Sequence, residues 1–301
     1  DIINTIDKTS HVFICSIFVE AILHDLETMG FKNIYDSSVL FDNADLNSLD
    51  LYKHCYNDFK EDNKIVYDAF VADNEEKTLN LDGLKDNLKR QIELYKLECQ
   101  KIYKKNTAEL KLKYMDIVVT EACTMKCIDC SNLMQYYKNP KNVDIDLLFE
   151  SIEIIVESVD QIYELRLIGG EPFFNKNLYK IINKVVEYKK VNKVIIYTNG
   201  TIPVKNETLL ALKNKKILLD ISNYGEMSRN LEKIIKTLNE NKINYIVKKP
   251  IWTDSGRILK FQKRSVNQME RMFLNCCVND TFTLLNGVLY RCPFSANVYN
   301  L

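Results

Sequence analysis

The chain has 301 residues, with 41 Lys plus Arg against 41 Asp plus Glu, so its formal net charge is zero. That balance gives no electrostatic reason to expect a nucleic-acid backbone or an anionic membrane surface as partner. Eight glycines, five prolines and 46% apolar residues exclude collagen-like repeats and disorder, and no apolar run approaches the ~18 residues of a membrane span.

VFICS at 12–16 reads as a short buried strand. A helical pattern follows from Ile17 to Met29, its apolar face made by Ile17, Ala21, Leu23, Leu26 and Met29. Gly30 stops it, and FKNIYD resumes as a strand. This β–α–β unit resembles the later half of a small Rossmann-like domain. No G-x-G-x-x-G turn precedes it, so no dinucleotide site is expected. Residues 42–80 are polar and mix helix with loop. From Leu81 to about Leu110 apolar residues recur every three or four positions, which predicts a connecting helix.

The next region alternates regularly. Strands are predicted at 116–120, 164–168, 193–200, 216–222 and 243–249, with helices at 144–158, 176–189, 206–213 and 229–240 between them. Such alternation predicts an α/β fold with a parallel sheet and right-handed crossovers, open or partly closed into a barrel. Functional residues should then sit at the C-terminal ends of the strands. Near the end, FTLL and VLYRC flank Asn286-Gly287, a hairpin signal. The expected domains are a partial Rossmann-like segment (1–80), a connecting helix (81–111), an α/β core (112–262) and a cysteine-bearing hairpin module (263–301). The chain does not begin with Met, and its first and last modules read as cut short, so a longer protein is expected.

There are nine cysteines, an odd number, and the polar start carries no secretory apolar region. A cytoplasmic protein with metal-binding or catalytic thiols is expected. Cys15, Cys55 and Cys99 are isolated and read as small buried hydrophobes. Cys123, Cys127 and Cys130 sit together in EACTMKCIDCSN, directly after the first strand of the regular region. Three thiolates at this spacing can converge on one metal centre. His11, His24 and His54 are all far upstream, and the loop offers no fourth cysteine. A cubane cluster with one open iron fits that inventory better than a four-ligand structural zinc. A zinc site completed by a distant residue, and three incidental cysteines, are the competing readings.

The C-x3-C-x2-C loop, taken with Gly169, Gly170, Glu171 and Pro172 after the second strand, resembles the radical S-adenosylmethionine (SAM) superfamily over roughly Leu112–Lys249. The resemblance implies a partial (β/α)6-type barrel. It implies a 4Fe-4S cluster on Cys123, Cys127 and Cys130, with the amino and carboxylate groups of SAM on the fourth iron. One electron then cleaves SAM to methionine and a 5′-deoxyadenosyl radical, which abstracts hydrogen from the substrate. A reductant such as flavodoxin or ferredoxin is implied. The resemblance gives Gly169, Gly170, Glu171 and Pro172 the ammonium of SAM, and gives Thr198, Asn199, Ser222 and Asn223 its adenosine, ribose or carboxylate. Helix capping is the ordinary alternative for the last four. One departure is Asp129, which stands where the family usually has an aromatic before the third cysteine.

Cys277-x9-Gly287-x4-Cys292 similarly resembles the opening of the auxiliary-cluster modules called SPASM and twitch. It implies a second iron–sulfur cluster on Cys292 and on Cys276 or Cys277; free thiols in a degenerate module are the alternative. The first substrate expectation is a small molecule or glycan, in particular a carbohydrate or nucleotide-linked sugar undergoing dehydrogenation, epimerisation or elimination. A maturase of ribosomally made peptides is the second. A glycyl-radical-enzyme activase and a non-catalytic binding protein stand behind these. Asn132, Tyr136 and Tyr137 after the third cysteine, and Trp252, Asp254 and Arg257 after the fifth strand, are the candidate substrate contacts.

Overall fold

A computed structural model describes residues 6–14, 19–36, 81–103, 109–250, 263–274 and 276–301. In chain order the first elements are β1 (His11–Ile14), α1 (Val19–Thr28), β2 (Asn33–Asp36), α2 (Leu81–Tyr103), β3 (Lys111–Thr120) and α3 (Ile145–Ser158). Then come β4 (Gln161–Gly169), α4 (Leu178–Glu187), β5 (Val191–Thr198), α5 (Asn206–Ala211), β6 (Ile217–Ser222), α6 (Leu231–Glu240) and β7 (Tyr245–Lys248). The last are α7 (Val266–Leu274), β8 (Thr281–Leu285), β9 (Val288–Tyr290) and α8 (Pro293–Asn300). The chain divides into two units, one of residues 1–51, 88–108 and 262–279, the other of 52–87, 109–261 and 280–301.

In the first unit β1 and β2 pair in parallel, from His11↔Asn33 to Ile14↔Asp36, with α1 as their crossover. The end of α1 is set by Gly30, whose φ of +88° suits a residue without Cβ. Gly30 N donates to Glu27 O and Phe31 N to Leu26 O, the paired bonds of a Schellman stop. Leu26 and Phe31 bury together over it. Arg271 of α7 lies 3.4 Å from Asp25 of α1.

The second unit holds a sheet in the order β7-β6-β5-β4-β3-β8-β9. β3 to β7 and β8 run parallel, and only β9 is antiparallel. One sheet face packs on helices. Ile117, Leu167, Ile196 and Leu219 from successive strands bury against Ile152 of α3, Ile181 and Ile182 of α4 and Ile234 of α6. Truncating such a fully buried Leu or Ile to Ala typically costs about 2–5 kcal/mol. Asp144 starts α3 by accepting from Asp146 N at 3.0 Å and Leu147 N at 3.1 Å. The opposite face is more polar. Arg166 lies 2.5 Å from Asp116, 3.2 Å from Thr281 and 4.3 Å from the centre of the Tyr114 ring.

The five predicted strands of the regular region are all present in sequential order, and the arrangement is α/β with an open parallel sheet. The sixth parallel strand is β8, from the segment expected to form a separate hairpin module. It pairs with β3 from Tyr114↔Thr281 to Ile117↔Leu284, filling the free edge of the first core strand. The predicted hairpin turn forms with φ of +50° at Asn286 and +78° at Gly287, as a two-residue hairpin loop requires. Among the described residues no helix is long and apolar enough to cross a membrane.

Candidate functional site

The C-terminal end of β3 leads into the cysteine loop, and the end of β4 is stitched to it backbone to backbone. Gly170 N donates to Thr120 O and Glu171 N to Ala122 O, both at 2.8 Å. That closeness is what the glycines are for. A Cβ on Gly169, whose φ is +139°, would stand 2.2 Å from Thr120 O; one on Gly170 would stand 2.0 Å from Ala122 O. The pair therefore lets the second strand end press on the start of the cysteine loop.

Glu171 is fully buried. Its Oε1 accepts from Thr198 Oγ1 at 2.8 Å and Phe173 N at 3.3 Å, and its Oε2 from Asn199 N at 2.7 Å. Burial pushes its carboxyl up to about 7, against the pull of those donors. In this arrangement Glu171 ties the end of β4 to the end of β5.

Asn199 continues the lacing. Its Nδ2 donates to Thr124 Oγ1 at 3.2 Å and towards Cys123 Sγ at 3.8 Å. Its Oδ1 accepts from Thr201 N at 3.1 Å and Thr201 Oγ1 at 2.5 Å. Ser228 Oγ donates to Asn199 O at 2.7 Å, contacts Ser222 O at 3.3 Å, and accepts from Tyr224 N at 2.9 Å. Asn223 Oδ1 accepts from Gly225 N at 2.8 Å. Four successive strand ends are thus joined at one level, where a parallel sheet carries its function.

The three thiols are partly buried and carry no disulfide. Burial pushes Cys123 up to about 11; Met125 N, 3.4 Å from its sulfur, opposes this, while charge on Glu171, Cys130 and Cys127 adds to it. Cys127 is raised by burial and by Cys130. Tyr224 is raised chiefly by burial, then by Cys127, Cys130, Cys123 and Glu171. Neither Tyr224, Ser228, Thr124 nor Thr201 was singled out from sequence; Tyr224 directly follows Ser222-Asn223, and that adjacency was the available signal. Among the described residues no three His, Cys, Asp or Glu side chains are drawn together as a formed metal site. The donor set nevertheless suits an iron–sulfur cluster: three thiols on one loop, with two N–H groups already directed at one sulfur.

Asn132 Nδ2 donates to Gly169 O at 2.9 Å. Tyr137 OH donates to Asn297 Oδ1 at 2.7 Å and accepts from Asn300 Nδ2 at 2.9 Å. Asn300 Nδ2 also reaches Glu121 Oε1 at 2.7 Å, so α8 braces both flanks of the cysteine loop. Tyr136 is exposed, and Pro172 is buried at the start of a short turn. Cys276 and Cys277 lie in the first unit and Cys292 in the second. Cys292 caps α8, its Sγ accepting from Ser295 N at 3.4 Å. An auxiliary cluster module has no structural support among the described residues. Cys15, Cys55, Trp252, Asp254 and Arg257 lie outside the described residues.

Membership of the radical SAM superfamily is well supported: residues 117–248, which span these strand ends, match the family model described as "Radical SAM superfamily". With the cysteine loop and GGEP in that segment, the domain is that of a radical SAM enzyme. The chain is 29% identical over 157 residues to a GTP 3′,8-cyclase of Clostridium acetobutylicum, covering 46% of this chain and 49% of that protein. It is 26% identical over 161 residues to the GTP 3′,8-cyclase of Helicobacter pylori, covering 48% and 49%. The matches thus span about half the length of these curated relatives. Among solved structures, BtrN in complex with AdoMet and 2-DOIA is similar at a TM-score of 0.43 and 17% identity, over 63% of this chain and 76% of that one. Streptococcus suis SuiB bound to S-adenosylmethionine is similar at 0.40 and 17%, over 64% and 44%.

Proposed function

We propose that this chain cleaves S-adenosylmethionine reductively at a 4Fe-4S cluster held by Cys123, Cys127 and Cys130. The observation that carries the reading is the register of Gly170 and Glu171 against Thr120 and Ala122, which brings GGEP to the cysteine loop. When bound, the cluster and SAM supply a one-electron cleavage and a 5′-deoxyadenosyl radical that takes hydrogen from a substrate. The chain's own part is positioning. Gly169, Gly170 and Pro172 shape the floor on which the methionine end of SAM rests. Thr198, Asn199, Ser222 and Asn223 border its carboxylate and nucleoside, with Glu171 locking the ends of β4 and β5 together beneath them. To Tyr224, directly after Asn223, we assign the role of the aromatic that the loop lacks at Asp129.

For the substrate we take forward a peptide side chain, ahead of the carbohydrate first expected. Among the described residues β9 pairs with β8 alone and leaves Val288 and Leu289 exposed. An extended peptide can lie along such an edge. A nucleotide or nucleotide-linked sugar is the second reading, favoured by the GTP 3′,8-cyclase relatives.

The test is anaerobic reconstitution with iron and sulfide, reduction, and addition of SAM. Methionine and 5′-deoxyadenosine are expected from the wild type and not from a chain with Cys123, Cys127 and Cys130 all changed to Ala. No product from the reduced wild type would sink the enzyme reading. Product formation stimulated by nucleotide sugars and not by peptides would replace the substrate reading.

A further inference from the structure

We propose that Asn199 sets the reduction potential of the cluster through a hydrogen bond from its side-chain amide to the sulfur of Cys123. The inference rests on the cluster reading above and adds to it a positioning residue with an electronic task.

The geometry fixes which end of the amide meets the sulfur. Oδ1 is taken by two donors of Thr201, its N–H at 3.1 Å and its hydroxyl at 2.5 Å. Flipping the amide would set NH2 against that backbone donor, so the orientation follows from the network. Nδ2 must then face the cysteine loop, where it meets Thr124 Oγ1 at 3.2 Å and Cys123 Sγ at 3.8 Å. The hydroxyls of Thr124 and Thr201 meet at 2.7 Å and close the ring. The main chain is pinned too: Asn199 N donates to Glu171 Oε2 and Asn199 O accepts from Ser228 Oγ, each at 2.7 Å. The side chain is held at every polar atom and is 9% exposed, so the donor is in place before the cluster arrives.

The chemistry of the acceptor gives this donor its effect. Adding an electron to an iron–sulfur cluster places more negative charge on its ligand sulfurs. A fixed N–H donor stabilises that charge and raises the potential, more so in a site of low polarity. Outer groups that orient ligands tune the metal in the same way. Met125 N makes a second such bond to the same sulfur from within the loop. The Asn199 bond is the one supplied from another strand end. It therefore couples the potential to the docking of the cysteine loop on β5.

The test is a redox titration of the reconstituted full chain, followed by EPR and performed without SAM. Wild type is compared with N199D, which keeps the acceptor for Thr201 but cannot donate when ionised, and with N199A. Both variants should retain iron and titrate at more negative potential. A tenfold fall in the ratio of reduced to oxidised cluster at a fixed poise, which is 59 mV for a one-electron couple, is the expected scale. An unchanged midpoint with iron retained would overturn the proposal, and weakened SAM binding at that unchanged midpoint would leave Asn199 with its cofactor contact alone. Should both variants lose iron, wild type labelled with 15N at the asparagine side-chain amide is read by pulsed EPR. A nitrogen coupling to the reduced cluster supports the bond, and its absence overturns it. A wild type that takes up no iron at all refutes the cluster reading itself, a different result from any of these.

Discussion

Asn132 gives its side-chain amide to the carbonyl oxygen of Gly169 across 2.9 Å, joining the stretch after the third cysteine to the end of β4. Behind it stands Asn297, fully buried on α8, whose amide points back to Asn132 Oδ1 at 3.5 Å. N132A should lower stability by about 1 kcal/mol, the net value of one such bond. N297A should cost more, about 1–3 kcal/mol, because it strands buried partners. Urea midpoints measure both, and equal midpoints for N297A and wild type would remove α8 from the support of the loop.

Gly170 and Gly225 make a controlled pair. G170A places a Cβ 2.0 Å from a backbone oxygen, so β4 and the cysteine loop must part; a loss above about 3 kcal/mol, with loss of iron binding, is expected. G225A meets nothing within 4 Å and carries only the strain of φ +64°, about 1–2 kcal/mol. Thermal unfolding and iron content of the two variants check the contrast.

Glu171 makes stability depend on pH. Its folded carboxyl is raised from 4.5 to about 7 by burial. The folded state therefore holds the proton more tightly than the unfolded chain. That stabilisation is full below about 4.5 and is lost as pH rises through about 7, on the order of 3 kcal/mol in all. The measurement is wild-type stability minus that of E171Q across this window. A flat difference would show that the carboxylate is ionised throughout.

Iron loading should strengthen with pH. Cys123, pushed up to about 11, and Cys127, raised in the same direction, hold their protons at neutrality and must release them to bind. Iron incorporated at limiting iron and sulfide should rise from pH 7 to pH 9. No pH dependence over that range would contradict proton release on loading.

Arg166 and Asp116 form a buried pair at 2.5 Å on the polar face of the sheet. R166M leaves a buried carboxylate alone and should cost about 3–5 kcal/mol; the double change D116L/R166M should recover most of it. A double-mutant cycle by denaturant unfolding gives both values.

The strands of the core were legible because each is a short apolar run with a helix-period segment after it. Ile117, Leu167, Ile196 and Leu219 stand within those runs, and all four lie in the core. The cysteine loop and GGEP were legible because their spacing is local. What was hidden depends on contacts between residues far apart. That β8 belongs beside β3 is written in no local pattern, since its partner register spans more than a hundred residues. For the same reason nothing local in the sequence marks Thr124, Thr201 or Ser228. Their hydroxyls acquire a task only when β5 and β6 bring them to the loop. Cys292 shows the converse: a residue type that suggested metal sits in this fold at the start of a helix and accepts a capping bond.

The place of β8 also bears on timing. β3 finds β4 as soon as residues 161–169 are made, but its other flank stays bare until residues 281–285 emerge. Closing so long a loop is slow compared with pairing neighbours. During synthesis, then, the cysteine loop exists for a long interval beside a half-finished sheet, with α8 not yet there to brace it.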